Sequence, residues 1–178
     1  MRRVPGSAFI IVTAMLLASC GGGGTSVQSA SVTPAVIASP VMISAAAYVA
    51  TASSIDMFEL KSAELALQRA QDPGNRAYAQ QVLSAHQGTS MQLSFAGRRL
   101  NLLPTGALNP EHQSLLNALE TTSDFDNTFR AQQGMVVAEG VKLHGGYARS
   151  GDSPTLRPIA ANAESVMRAN LQALGRSR

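Results

Sequence analysis

From residue 39 onward the chain is punctuated at regular intervals, and between the breaks its apolar residues recur with the period of a helix. Ser39-Pro40 has the order of an N-cap followed by proline at the first helical position, and no further Pro or Gly occurs before Asp72-Pro73-Gly74. That predicts a first helix of about 30 residues. Asp72 and Pro73 then open a second, which runs to Asn101 before Leu102-Leu103-Pro104-Thr105-Gly106 breaks it. Asn109-Pro110 repeats the start signal for a short helix to Glu120. Ser123-Asp124, with Asp126 near the positive end of the dipole, opens a third long helix to Ser150. Ser153-Pro154 opens a fourth, in which Pro158 either kinks the helix or delays its start, and Gly175 is the natural stop.

The seams are explicit. In the second helix Ala79, Val82, His86, Thr89, Leu93, Ala96 and Leu100 follow alternating steps of three and four. Tyr48, Ala52, Ile55, Phe58, Glu59, Ser62, Leu65 and Ala66 make a comparable face in the first. Phe125, Phe129, Gln132, Gln133, Val136, Gly140, Leu143 and Tyr147 do so in the third, and Leu156, Ile159, Ala163, Val166 or Met167, Asn170 and Leu174 in the fourth. No useful stretch alternates with period two. The expected fold class is all-α: an up-down four-helix bundle over residues 40–178, with a short extra helix between the second and third long ones. Gly140 on the third seam would allow close helix approach, and Gly145-Gly146 could end that helix early.

Residues 1–39 read differently. Arg2 and Arg3 precede an apolar run from Ala8 to Ala18, too short for the roughly 20 residues that span a bilayer, so residues 1–19 are expected to be a signal peptide. Leu17-Ala18-Ser19-Cys20 resembles the lipobox of bacterial lipoproteins. By that resemblance Cys20 is lipidated and becomes the new amino terminus, with acyl chains sufficient for stable anchoring. Gly21 follows it in place of the Asp typical of inner-membrane retention, so the resemblance implies the outer membrane, with the domain facing the periplasm. Residues 20–39, rich in Gly, Ser, Ala and Thr, form a flexible tether with a reach on the order of 25 Å.

Composition narrows the chemistry. The single Cys rules out a disulfide framework and a Cys-rich zinc site, and aromatic residues make up only 4% of the chain, too few for a nucleic-acid stacking platform. Loss of Arg2 and Arg3 with the signal peptide lowers the formal net charge from +3 to +1, which leaves no footprint for a polyanion. Arg98 and Arg99, the one basic pair of the mature chain, read as a solvated face.

Each long helix carries a polar side chain in its apolar stripe: Glu59, His86, Gln132 or Gln133, and Asn170. Buried polar groups need partners, so these are expected to meet in a layer, with Glu59 and His86 facing each other as a hydrogen-bonded pair. His112 is expected on the surface, and His144 on either the seam or the surface. The residues three before His86, His112 and His144 are Leu83, Asn109 and Val141, so the Glu-x-x-His pairs of di-iron bundles are absent. His-Glu-x-x-His, Gly-x-Ser-x-Gly and phosphate-binding glycine loops are absent too.

The stretch Glu59 to Ala70, the stretch Ala77 to His86, and Phe125-Asp126-Asn127-Thr128-Phe129 are similar to a bacterial secreted family known as domain of unknown function 4142. The likeness extends over residues 48–174. It implies a ferritin-like helical bundle and an outer-membrane location. Family members have Asp-His at Ala85-His86, a histidine at Val137, and Leu-Pro and a further histidine at Glu164-Ser165 and Asn170; of that polar set only Glu59 and His86 remain. The expected function is therefore a non-catalytic, membrane-anchored envelope module, monomeric and without cofactor, that binds an envelope partner or serves stress tolerance. The alternative is a metal-binding or metal-storing domain using Glu59, His86, Gln133 and Asn170.

Overall fold

The computed structural model describes residues 42–176. The chain divides into a unit of residues 1–38 and one of residues 39–178, and all described residues lie in the second. The signal peptide, Cys20 and the tether fall outside the described residues.

Five helices and no strand occur among the described residues: α1 (Ala45–Arg69), α2 (Pro73–Leu100), α3 (Pro110–Thr121), α4 (Phe125–Ser150) and α5 (Arg157–Arg176). None of them is long and apolar enough to cross a membrane. The first helix begins later than Ser39-Pro40 suggests. Ser44 is its N-cap, with its hydroxyl accepting from the Ala47 amide at 3.3 Å, and Met42 to Ser44 precede the helix. The start expected at Ser39-Pro40 lies outside the described residues.

The other boundaries follow their capping chemistry. Asp72 caps α2 through the Gly74 amide at 2.6 Å, and Asn109 caps α3 through the His112 amide at 2.7 Å, each followed by proline at the first helical position. Asn101 ends α2 in the left-handed conformation, φ 55° and ψ 33°, while Leu102 N–H returns to the Gly97 carbonyl at 2.8 Å. A Cβ at Gly97 would collide with the Leu102 carbonyl, so this return turn requires glycine. Gly145-Gly146 does not end α4, which continues to Ser150; a Cβ at Gly145 would lie 2.6 Å from the Glu164 carboxylate of α5. Pro158 delays α5, whose first residue is Arg157, after a turn over residues 154–156.

α1 packs against α2, α3 and α4, and α5 closes against α4 and α2. Three apolar clusters are stacked along the interior. At one end lie Ala66, Tyr78, Val82, Leu119 and Phe129, in the middle Ile55, Phe58, Leu116, Val136 and Met167, and at the other end Tyr48, Ala52, Leu93, Tyr147 and Leu156. Ile55, Phe58 and Phe129 are fully buried, each worth about 1.5–3 kcal/mol relative to exposure. Every residue of the expected second-helix seam is buried except Leu100, which is half-buried.

Arg69 at the end of α1 fixes the far end of α3. Its guanidinium donates to the carbonyls of Leu119, Glu120 and Thr122 at 2.6–2.9 Å and lies 4.8 Å from the Phe125 ring centroid. Asp126, in the first turn of α4, accepts from the Gln71 and Asp72 amides and from Asn75 Nδ2. The C-terminal end of α1 and the turn that follows it are thereby locked to α3 and to the start of α4.

Candidate functional site

All three histidines are buried, and each reaches across to α1 from a different helix: His86 from α2, His112 from α3 and His144 from α4. α1 answers with three different side chains, Asp56, Ser54 and Tyr48 respectively.

His86 Nδ1 donates to the Asp56 carboxylate at 2.7 Å, and Thr89 Oγ1 donates to the same oxygen at 3.0 Å. On the other edge of the ring, Asn170 Nδ2 donates to Nε2 at 3.1 Å, and Asn170 Oδ1 accepts from Gln81 Nε2 at 3.2 Å. The chain Gln81, Asn170, His86, Asp56 thus links α2, α5 and α1 with both ring nitrogens engaged. Burial opposes charge on this ring, but the Asp56 hydrogen bond and the negative fields of Glu59 and Asp56 outweigh it and raise the His86 pKa.

The expected Glu59–His86 hydrogen bond is not formed. Asp56, one turn earlier on α1, occupies that place, and both carboxylate oxygens of the fully buried Glu59 lack a hydrogen-bond partner. Burial pushes the Glu59 carboxyl up from 4.5 to about 7, with His86 pulling it down and Asp56 raising it further. Gln133 donates to Ser62 Oγ at 2.9 Å, and Gln132 donates to the Leu115 carbonyl at 2.9 Å. The predicted layer therefore exists in part: His86 meets Asn170, Gln133 meets a neighbour of Glu59 on α1, and Glu59 itself bonds to none of them.

His112 is fully buried, not exposed, because α3 lies across α1 and α4 with its first turn facing inward. Ser54 Oγ accepts the Asn109 amide at 2.8 Å and donates to His112 Nδ1 at 2.7 Å; Nε2–H then donates to Glu139 at 3.1 Å. This is a Ser-His-Glu series, yet Ser54 is only 1% exposed and its oxygen already holds a backbone amide. A nucleophile needs an approach path for substrate, and this hydroxyl has none.

His144 Nδ1 accepts from the Tyr48 hydroxyl at 3.0 Å, while its Nε2 has no hydrogen-bond partner. Burial holds this ring neutral, with a pKa down to about 4 against fields from Asp56 and Glu164 that favour the charge. Tyr48 is itself stacked on Tyr147, ring centroids 3.9 Å apart. A surface cavity of about 510 Å³ adjoins this end, lined by Ile43, Thr51, Glu139, Lys142, Leu143 and Tyr147 among others.

Sequence reasoning missed Asp56, Ser54, Glu139 and Tyr48 as partners. One signal was present: Asp56 and Glu59 stand three apart on α1, so both flank the same turn opposite His86. Among the described residues no group of three or more His, Cys, Asp or Glu side chains is placed to hold a metal ion. Cys20 lies outside the described residues.

Fold and site together define an all-helical domain whose buried polar groups join helix to helix. The chain belongs to the family of domain of unknown function DUF4142, whose profile matches residues 30–176. No curated protein and no solved structure matches the chain.

Proposed function

We propose that this protein is a lipoprotein of the bacterial cell envelope, anchored in the outer membrane through Cys20 and facing the periplasm. Its domain acts without catalysis, as a binding or stress-related module on a flexible tether. α1, α2, α4 and α5 form a ferritin-like four-helix bundle in this reading, with α3 as the extra helix, and the domain is monomeric. The location rests on the lipobox-like Leu17-Ala18-Ser19-Cys20 after a short apolar run. The reading of the domain as non-catalytic rests on one observation: Ser54 and all three histidines are buried, at most 3% exposed, so none offers a substrate an approach.

The histidine bonds to α1 fix the angle and register at which α2, α3 and α4 sit on it. They leave His86 and His112 without a free ring nitrogen for a metal or a substrate. The alternative, a metal-binding or metal-storing domain, would depend on Glu59, whose two carboxylate oxygens lack partners, as do the amide oxygens of Gln132 and Gln133. One carboxylate with the amides Gln133 and Asn170 is a weak set for a transition metal.

The test is intact-mass analysis of protein extracted from its own membranes. An acylated chain starting at Cys20 supports the reading, together with a soluble or uncleaved product from Cys20→Ala. An unmodified Cys20 thiol in the native protein overturns it.

A further inference from the structure

From the exposed face of α2 we infer a second membrane contact: Met91, Phe95, Arg98 and Arg99 form a docking surface for an anionic lipid bilayer. Met91 and Phe95 are 69% and 67% exposed, and Leu103, just beyond the helix end, is 63% exposed. At 100° per residue Met91, Phe95, Arg98 and Arg99 fall within about 100° of arc, on one side of α2. His86, Thr89, Leu93 and Ala96 occupy the opposite, buried side.

The charge along the α2 segment itself has one sign. No Asp or Glu occurs between Asp72 and Glu111, a stretch that holds Arg76, Arg98 and Arg99. The ion pairs among the described residues involve neither Arg98 nor Arg99. Two arginines in the last turn also complement the negative end of the helix dipole. The dipole accounts for the charge but not for a phenylalanine and a methionine held out beside it.

A convex helix face bearing an aromatic ring, a flexible thioether and two guanidinium groups has the chemistry of an interfacial anchor. The ring and the thioether enter the acyl boundary, and the arginines, with their aliphatic stems along it, meet lipid phosphates. Each basic residue adds attraction to an anionic surface that salt screens. In the tethering reading above, which this inference extends, the acyl chains supply proximity and the α2 face supplies orientation. The domain would then lie with the C-terminal half of α2 toward the lipid.

The chain has no tryptophan, so Phe95→Trp installs a single local reporter. Full-length protein extracted from its membranes is reconstituted into vesicles with brominated acyl chains, made either of phosphatidylglycerol with phosphatidylethanolamine or of phosphatidylcholine alone. Met135→Trp, at a 54% exposed position of α4, is the control, and circular dichroism verifies that both variants keep the parent helicity. The surface predicts quenching of the Phe95→Trp indole in the anionic vesicles only and none of the Met135→Trp indole. It also predicts that the quenching at position 95 is lost at high salt or when Arg98→Glu and Arg99→Glu are added. Equal quenching at both positions, or none at position 95, overturns it. Shielding of the indole at position 95 by an envelope protein without quenching by lipid overturns it as well. Acylation of Cys20 is read separately by intact mass. With or without it, vesicles in excess either quench the indole at position 95 or refute the surface.

Discussion

His86 and Asp56 are joined by a 2.7 Å hydrogen bond between two buried side chains, and this pair, rather than His86 and Glu59, ties α2 to α1. Removing either partner strands the other. Asp56→Ala should cost about 1–3 kcal/mol, as should His86→Leu, and the double variant should recover a substantial part of the summed loss. A double-mutant cycle by urea unfolding at neutral pH measures the coupling. Additive losses would show that the pair does not interact.

Glu59 and His144 make opposite demands on pH. The Glu59 carboxyl is raised from 4.5 to about 7, so its protonated form suits the fold: its contribution is fully present below pH 4.5 and is lost as pH rises to 7. His144 is lowered from 6.5 to about 4, so its contribution is full above pH 6.5 and is lost as pH falls to 4. Each shift corresponds to about 3 kcal/mol, and between pH 4.5 and 6.5 the two largely offset one another. Glu59→Gln should therefore stabilise the domain at pH 8 and do little at pH 4.5. His144→Gln should reduce acid lability and leave the response above pH 6.5 unchanged. Urea unfolding of both variants from about pH 4 to about pH 8 tests this, and identical pH profiles for the variants and the parent would contradict it.

Ser54 carries two bonds, accepting from the Asn109 amide and donating to His112. Ser54→Ala should cost about 1–3 kcal/mol by leaving both partners unsatisfied, chiefly by loosening the start of α3. Hydrogen exchange should accelerate at residues 109–113 in this variant. A fluorophosphonate probe should leave Ser54 unlabelled in the parent protein, since its buried hydroxyl offers no approach. Covalent labelling of Ser54 would convert the Ser-His-Glu series from a strut into a catalytic apparatus.

The helices are legible in the sequence because their signals are local. Asp72-Pro73 and Asn109-Pro110 announce their caps in adjacent residues, and the three-four spacing from Ala79 to Ala96 marks the buried face without reference to any other helix. The polar pairings are not legible, for the converse reason. Spacing places Glu59 and Asp56 on neighbouring arcs of one turn, and the choice of partner for His86 depends on helix rotation and axial offset that no single helix records. His112 shows the same limit. Its position in the first turn of a short helix resembles a surface site, and only the crossing of α3 over α1 and α4 brings Ser54 and Glu139 to its two nitrogens. The split of the predicted layer, with Asn170 against His86 and Glu59 left unpartnered, follows from one turn of difference along α1.

Whether the buried polar groups join helices or hold a ligand is decided most directly by metal content. Protein purified without chelators is exposed to iron(II), manganese(II) and zinc(II), freed of unbound metal by gel filtration, and analysed by elemental mass spectrometry. With His86 and His112 engaged at both nitrogens, no stoichiometric metal should be retained. Retention of a full equivalent that disappears in both Glu59→Gln and His86→Gln would contradict a structural role for the layer and establish a metal centre in its place.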